Sequence, residues 1–200
     1  MPRTCQKEVN LISARIKRRP PLVILLVGLP GTGKSTLARK IARKYRLEHI
    51  STDSVRKRIF KDVREDSFGR GSYSVRQRLV VYDTINYVLY TLLKHGVGCV
   101  LDGTFYQERL RSKVKRISAR FEAKFLLVLV TCPESLIRKR FEERAKRNRK
   151  TLSDADSNVY EKFRDMFEPT KLDYIEVNMA TDHNKILEMI SNALSKRSSE

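Results

Sequence analysis

Apolar residues along the chain fall into two kinds of pattern, short continuous runs and helical repeats. Apolar runs at 22–27, 97–102 and 125–131 indicate buried strands, and two further short strands are predicted at 47–51 and 174–178. The stretches between them repeat apolar residues every three or four positions, as amphipathic helices do. Continuous apolar strands that alternate with helices are typical of a parallel sheet covered on both faces. The pattern therefore predicts an α/β fold with helices on both sides of the sheet.

Capping and breaking signals place the other elements. Ser74 followed by Gln77 has the spacing of a capping box and predicts the start of the longest helix. Its buried face is expected to carry Leu79, Tyr82, Ile85, Leu89 and Leu92. Further helices are predicted at 5–17, from about Asp53 onward, at 133–150, at 153–169 and at 182–196, and a loop is predicted at 62–74. Two prolines end a basic extension, 1–20, and a single domain is expected to occupy 21–200.

The charge balance is strongly basic. The 200 residues include 42 lysines and arginines against 23 aspartates and glutamates, a formal net charge of +19. Such a field attracts polyanions and favours a nucleic acid or another phosphate-rich partner. A basic surface that only aids solubility is the alternative interpretation. The basic residues cluster at 15–19, 109–124 and 138–150.

Cysteine usage and hydropathy point to the cytoplasm. Cys5, Cys99 and Cys132 are widely spaced and form no C-x-x-C pair, so buried thiols in a reducing compartment are expected rather than metal ligands. No apolar run approaches the roughly 20 residues that span a bilayer. The chain is therefore expected to be cytoplasmic and to have no membrane partner.

The segment GLPGTGKST, at 28–36, lies between a predicted strand and a predicted helix. It fits the G-x-x-x-x-G-K-[ST] pattern of a phosphate-binding loop. Glycines let several backbone amides converge on a triphosphate without Cβ clashes, and the next helix adds the dipole of its N-terminus. A glycine turn that merely joins strand to helix is the alternative. Phosphate contacts are expected from Gly28, Gly31, Thr32, Gly33, Lys34, Ser35 and Thr36.

Individual side chains near this loop have distinct expected roles. Lys34 is expected to reach the β- and γ-phosphates, Ser35 to ligate Mg²⁺, and Thr36 to bond the α-phosphate. Asp102, at the end of the third strand in VLDGTF, is expected to hold a water molecule on the same Mg²⁺. Thr104 is expected to contact substrate or to sense the γ-phosphate. An aspartate that only caps the next helix is the alternative for Asp102.

Asp53 and Arg56 follow the second predicted strand. The carboxyl end of a neighbouring parallel strand faces the crevice in which the phosphates lie. A carboxylate there is suited to accept a proton from an attacking hydroxyl, and Arg56, one turn later, is suited to hold an anionic part of the acceptor. A role for Asp53 as helix cap is a compatible alternative.

Three arginines, Arg138, Arg140 and Arg144, lie on the helix predicted after the fourth strand. Arg140 and Arg144 are four residues apart, so both can face one target across the phosphates. Phosphoryl transfer spreads negative charge over the equatorial oxygens, which mobile arginines can stabilise. An arginine-rich helix that only faces solvent is the alternative.

The order of the motifs resembles that of small P-loop kinases. The motifs are GLPGTGKST, STDSVR, VLDGTF, CPESLIRKRFEER and SDADSNVYEKFRDMFEP. The similar proteins are the polynucleotide-kinase-like, zeta-toxin-like and seryl-tRNA-kinase-like ATP-binding proteins, and the similarity covers about 22–180. It implies a three-layer P-loop sandwich with a five-stranded parallel core and an arginine-rich lid. It also implies ATP with Mg²⁺ and transfer of the γ-phosphate to a hydroxyl. By the resemblance Asp53 matches the general base and Arg56 the acceptor-binding arginine, while Arg140 and Arg144 match the paired lid arginines.

The acceptor is not named by these motifs. The net charge favours a nucleic acid or a nucleotide over a neutral sugar or an antibiotic. A nucleic-acid-binding ATPase with no acceptor hydroxyl is the alternative from another class, but such a switch has no need of an acceptor base at Asp53. In polynucleotide kinases the acid often directly precedes the threonine, whereas here Gly103 separates Asp102 from Thr104.

Overall fold

Strands and helices alternate through the computed structural model, which describes residues 20–60, 74–146 and 157–196, with 144–146 and 157 described by their backbone only. The strands are β1 (Leu22–Val27), β2 (Glu48–Ser51), β3 (Cys99–Asp102), β4 (Lys124–Thr131) and β5 (Tyr174–Asn178). The helices are α1 (Lys34–Tyr45), α2 (Thr52–Ile59), α3 (Val75–Lys94), α4 (Glu108–Arg120), α5 (Glu134–Lys146), α6 (Ser157–Met166) and α7 (His183–Lys196).

The five strands form one sheet in the order β2-β3-β1-β4-β5, and every pairing is parallel. This confirms the predicted α/β fold and its five-stranded parallel core. β1 is central, with Leu26 beside Asp102 of β3 and Val27 beside Leu129 of β4. The segments that leave the carboxyl ends of β1, β2 and β3 therefore meet at one edge of the sheet, where parallel α/β folds bind ligands.

Alternate residues of β1 serve two separate cores. Val23 and Leu25 face a layer built mainly from α3, α4 and α6, whereas Ile24 and Leu26 face α1 and α7. Each layer buries one stripe of its helices, as the helical repeats predict. None of the described helices combines the length and apolar character that a membrane crossing requires.

The buried face of α3 differs from the prediction. The Ser74 hydroxyl accepts the Gln77 amide at 3.3 Å, so the predicted cap is confirmed. Leu79, however, is 40% exposed, while Val81 is buried. At the other positions the prediction is confirmed, since Tyr82, Ile85 and Leu89 are buried and Leu92 is partly buried. The buried Arg78 and Val81 stand in the place predicted for Leu79.

Several predicted elements extend beyond the described residues. The predicted helix at 5–17 and nearly all of the predicted loop at 62–74 lie outside them. The helix predicted at 133–150 is described as far as Lys146, and the one at 153–169 from Ser157.

A buried arginine connects α4 to the segment that follows α6. The Arg111 side chain is fully buried, and its guanidinium donates to the backbone oxygens of Phe105, Glu168 and Pro169 at 2.9, 2.6 and 3.0 Å. It also donates to Glu108 at 3.0 Å. Burial alone raises the pKa of Glu108, but hydrogen bonds from the Lys171 amide, Ser112 and Arg111 lower it. Glu108 thus remains a charged partner for the buried guanidinium.

We expect Arg111→Met to destabilise the protein by about 3 to 5 kcal/mol, because it leaves buried carbonyls and a carboxylate without their donor. Urea unfolding followed by circular dichroism measures the change. Arg109→Met is the control, since Arg109 lies exposed on the same helix, and it is expected to shift stability by about 0.5 kcal/mol or less. Equal losses in the two variants contradict the role given to Arg111.

Candidate active site

The backbone of the phosphate-binding loop depends on glycine at two close approaches. Gly28 has φ 148°, and a Cβ there would lie 2.3 Å from the Val130 carbonyl oxygen. Gly31 has φ 81°, and a Cβ there would lie 2.8 Å from atoms of Ile137 and Phe141 on α5. Only glycine fits both positions without movement of the neighbours. The loop is therefore held between β4 and α5.

Lys34 begins α1, and its ammonium turns back over the loop. Nζ donates to the Leu29 carbonyl oxygen at 2.6 Å and to Thr32 Oγ1 at 3.3 Å. Gly33 caps the helix in the left-handed conformation, and its carbonyl accepts the amide of Thr36. The N-terminal end of α1 and a buried cation thus lie together at the loop, as an anion site requires.

Ser35, Asp102 and His49 form a chain of side-chain contacts. Ser35 Oγ donates to Asp102 Oδ1 at 3.0 Å, and His49 Nε2 contacts the other oxygen, Oδ2, as a short hydrogen bond or ion pair. Asp102 is buried and its carboxylate makes no cap for α4, whose N-cap is Gln107. The alternative interpretation of Asp102 as a helix cap is therefore wrong.

His49 was not among the site residues predicted from the sequence. It looked like an ordinary member of a strand, but it pairs with Val100, which faces α1 and lies two residues before Asp102. His49 and Asp102 consequently share one face of the sheet. The signal in the sequence that could have indicated this contact is a polar residue two positions before the end of β2, the strand that neighbours β3.

The donor set at Ser35 and Asp102 suits Mg²⁺. This hard cation takes oxygen ligands and is usually held by one or two carboxylates together with water and phosphate oxygens. The described residues contain no group of three or more histidines, cysteines, aspartates or glutamates that could hold a metal on its own. A hydroxyl and one carboxylate beside the phosphate loop therefore fit an ion that arrives with a nucleotide.

We expect His49→Ala to raise the Mg²⁺ concentration needed for half-maximal nucleotide binding by about tenfold, because the partner that orients Asp102 is lost. A Mg²⁺ titration of the binding of a fluorescent ATP analogue measures this without turnover. His49→Gln, which retains a hydrogen-bond donor, is expected to recover much of the loss. Unchanged Mg²⁺ dependence with lower thermal stability would assign His49 a structural role alone.

Asp53 and Arg56 lie on the first two turns of α2, which starts where β2 ends. Ser51 is the N-cap residue, so Asp53 is not the cap, and that alternative is wrong. Arg56 Nη2 lies 3.6 Å from Asp53 Oδ1, and the Arg56 side chain is buried. A carboxylate and a guanidinium are thus held together at the start of α2.

The backbone after Asp102 packs directly on the start of α2. A Cβ at Gly103 would lie 2.4 Å from Thr52 Cγ2, which explains why a glycine separates Asp102 from Thr104. Phe105 has φ 42°, and its amide donates to the Tyr82 hydroxyl at 3.2 Å. Burial, followed by the nearby Tyr106, raises the pKa of Tyr82, so that hydroxyl remains neutral. Thr104, between Gly103 and Phe105, is half-buried.

The arginines of α5 differ in their surroundings. Arg140 Nη1 donates to the carbonyl oxygens of Gly31 and Thr32, both at 3.1 Å, and contacts Cys132 Sγ at 3.5 Å. Arg138 is exposed and paired with Glu134 at 2.6 Å, which agrees with the alternative of an arginine that only faces solvent. The side chain of Arg144 lies outside the described residues, so the paired lid stays a prediction.

The prediction that the cysteines are buried thiols agrees in part with the structure. Cys99 is buried in β3, where burial and then Glu48 raise its pKa to about 12. Cys132 is half-buried beside the phosphate loop, and burial raises its pKa as well. Both thiols are free, and their raised pKa values favour the protonated form at neutral pH. Cys5 lies outside the described residues.

A family model described as an AAA domain matches residues 23–170. Among curated proteins, adenylate kinase of Rickettsia bellii (strain RML369-C) is 28% identical in an alignment of 107 positions that covers 48% of this chain and 50% of that enzyme. An uncharacterized protein of Mycobacterium tuberculosis (strain ATCC 25618 / H37Rv) is 36% identical over 100 residues, 48% of this chain and 20% of that protein. The chain spans half or less of the length of these relatives.

Solved structures resemble the chain over nearly its whole length. A protein of Chloroflexus aurantiacus j-10-fl has a TM-score of 0.69 at 16% identity, covering 87% of this chain and 98% of that one. A gluconokinase of Sinorhizobium meliloti 1021 has a TM-score of 0.63 at 16% identity, covering 91% and 96%. The APS kinase CysC of Mycobacterium tuberculosis, in complex with AMPPNP and APS, has a TM-score of 0.61 at 16% identity, covering 88% and 98%. At such identities these likenesses show the fold, which is that of small P-loop kinases.

Proposed function

Since the chain belongs to the AAA domain family and has the fold of the small P-loop kinases, we propose that it is a kinase that transfers the γ-phosphate of ATP to a hydroxyl group. One observation carries the proposal: a carboxylate and a buried guanidinium, Asp53 and Arg56, lie together on α2. Thr52 of the same helix packs on Gly103, directly after Asp102, so this pair lies at the edge of the sheet that bears the phosphate loop. An ATPase without an acceptor has no use for the pair.

The proposed transfer gives each group one role. The Asp53 carboxylate takes the proton of the acceptor hydroxyl while the hydroxyl oxygen attacks the γ-phosphorus. A new oxygen–phosphorus bond forms, the bond to the bridging oxygen of the β-phosphate breaks, and ADP leaves with that electron pair. Lys34 stabilises the charge that develops on the β- and γ-oxygens.

Two further groups complete the proposed site. Ser35, together with Asp102 through a water molecule, would hold Mg²⁺, which would neutralise phosphate charge. Arg140 donates to the carbonyl oxygens of Gly31 and Thr32, and this contact with the loop supports a role beside the phosphates in the proposed complex. The proposed kinase domain is 21–200, with 1–20 as a basic extension.

The proposed acceptor is anionic, because Arg56 is a buried cation beside the proposed base. A phosphate-bearing acceptor, namely a nucleotide or a nucleic acid end, also agrees with the net charge of +19. A small acceptor is the second candidate, and it is favoured by the similarity in fold to a gluconokinase and to an APS kinase.

The test incubates the protein with γ-labelled ATP and four acceptors in parallel: a 5′-hydroxyl RNA oligonucleotide, a nucleoside monophosphate, gluconate and a neutral sugar. Label on the RNA or the nucleotide supports the proposed acceptor. Label on gluconate or the neutral sugar alone retains the kinase and overturns that acceptor. ATP hydrolysis with no labelled acceptor favours the ATPase instead. Lys34→Met protein, prepared identically, shows any contaminating activity.

A further inference from the structure

The outer face of α1 carries a continuous row of cations. Four of them lie on the helix and one just after it, and all five are exposed: Arg39, Lys40, Arg43, Lys44 and Arg46. We call these five residues the α1 stripe. The sequence from 34 to 46 contains no acidic residue. The apolar residues of the helix, Leu37 and Ile41 among them, are buried against the sheet.

No carboxylate compensates the α1 stripe within the part of the chain that the structure describes. Its lysines contact a histidine and a serine instead, with Lys40 Nζ 2.8 Å from His183 Nδ1 and Lys44 Nζ 2.9 Å from Ser191 Oγ. By contrast, Arg138 and Arg164 on the α5–α6 side of the molecule lie within 4.0 Å of Glu134. The stripe is thus a patch of one charge sign and not half of an ion-pair network.

This arrangement weakens the isolated helix. Like charges four residues apart, as in Arg39 with Arg43 and Lys40 with Lys44, repel each other and destabilise a helix. Cations in the last turn gain from the helix dipole, but Arg39 and Lys40 lie too far from that end to do so. An anionic partner would remove the repulsion along the whole row.

We propose that the α1 stripe binds the phosphodiester backbone of a single-stranded nucleic acid. At about 1.5 Å per residue the five cations extend over about 10 Å of the helix axis, enough to meet successive phosphates. The stripe has no exposed apolar side chain to enter a bilayer, which argues against an interfacial membrane helix. This binding goes beyond the proposed kinase reaction, because it holds whether or not the nucleic acid is the acceptor.

The structure also separates this surface from the basic segment 109–124. That segment forms α4 on the opposite face of the sheet, in the other core layer. Its Lys113 is paired with Asp83 at 2.9 Å, and its Arg120 stacks 5.4 Å from the Tyr90 ring. The α1 stripe and the cations of α4 therefore lie on opposite faces of the sheet and can be tested separately.

The test compares two charge-matched double variants, R43Q/K44Q on α1 and K115Q/R116Q on α4. Each loses one exposed arginine and one exposed lysine. Fluorescence anisotropy with a labelled 20-nucleotide RNA, and with the same sequence as DNA, is measured without ATP across a salt series. We expect R43Q/K44Q to weaken binding about tenfold at 0.1 M salt and to flatten the log–log salt slope by about 1.4, and K115Q/R116Q to change neither.

Three outcomes overturn the proposal. They are equal losses in both variants, a larger loss in K115Q/R116Q, and binding of the wild type to phosphatidylserine vesicles but to neither oligonucleotide. R39Q/K40Q removes two other cations of the stripe. It replaces R43Q/K44Q in the same binding measurement if R43Q/K44Q does not fold. A fluorescent ATP analogue should bind all variants alike, and the labelled-ATP assay is separate, so failure of the kinase proposal does not affect the result.

Discussion

Lys34→Met is expected to lower turnover by at least about 10³-fold, in line with the loss of a preorganised charge at the transferring phosphate. The ammonium is buried and already fixed over the phosphate loop by Leu29 and Thr32. It therefore needs little reorganisation to meet the β- and γ-oxygens. Methionine retains most of the side-chain volume and removes only the charge. Initial rates with γ-labelled ATP, at saturating acceptor, measure the effect.

The control for this variant is Lys115→Met, which removes an exposed charge from α4, outside both the proposed site and the α1 stripe. It is expected to leave turnover within about twofold of the wild type, since surface substitutions change little. Circular dichroism of both variants distinguishes lost chemistry from lost structure. Turnover near the wild-type rate in folded Lys34→Met would exclude a phosphate-binding role for the loop.

Asp53→Asn is expected to slow phosphoryl transfer by about 10²- to 10⁴-fold while ATP binding survives. Asparagine has nearly the same shape but no proton-accepting carboxylate. The side chain is 27% exposed, so an acceptor can reach it, and Arg56 lies 3.6 Å away to hold the acceptor in place. Single-turnover transfer, measured with the acceptor that the labelling panel identifies, separates this step from product release.

Ser54→Ala is the matched control, because Ser54 is the next residue of α2 and is exposed. Its transfer rate is expected to stay close to that of the wild type. A different role for Asp53 predicts a different pattern. If the carboxylate only balances Arg56 and the helix dipole, Asp53→Asn lowers thermal stability slightly and leaves the transfer rate intact.

The strands and the phosphate loop were predictable because their signals are local. β1 and β4 are continuous apolar runs, and a glycine-rich stretch with lysine and serine between a strand and a helix leaves few alternatives. The parallel sheet followed from the alternation of these elements. The order of the strands was not predicted, since it depends on pairings between segments that are far apart in sequence.

Residues whose role depends on strand order were harder to predict. His49 meets Asp102 only because β2 lies next to β3 in the sheet. Leu79 was misplaced because the apolar count along α3 allows two overlapping stripes, and the buried Arg78 identifies the correct one only after folding. The contact of Arg140 with the loop carbonyls likewise depends on how α5 packs over Gly31.

The central place of β1 has a consequence for synthesis on the ribosome. The phosphate loop and its strand emerge early, but their two neighbours begin only at Cys99 and Lys124. Until β4 is made, the nascent chain carries an apolar strand with an open edge, and such edges recruit other chains. Fragments that end before Lys124 are therefore expected to aggregate even though they contain the entire nucleotide-binding motif. Expression of this protein should benefit from chaperones that shield nascent strands until Thr131 has been added.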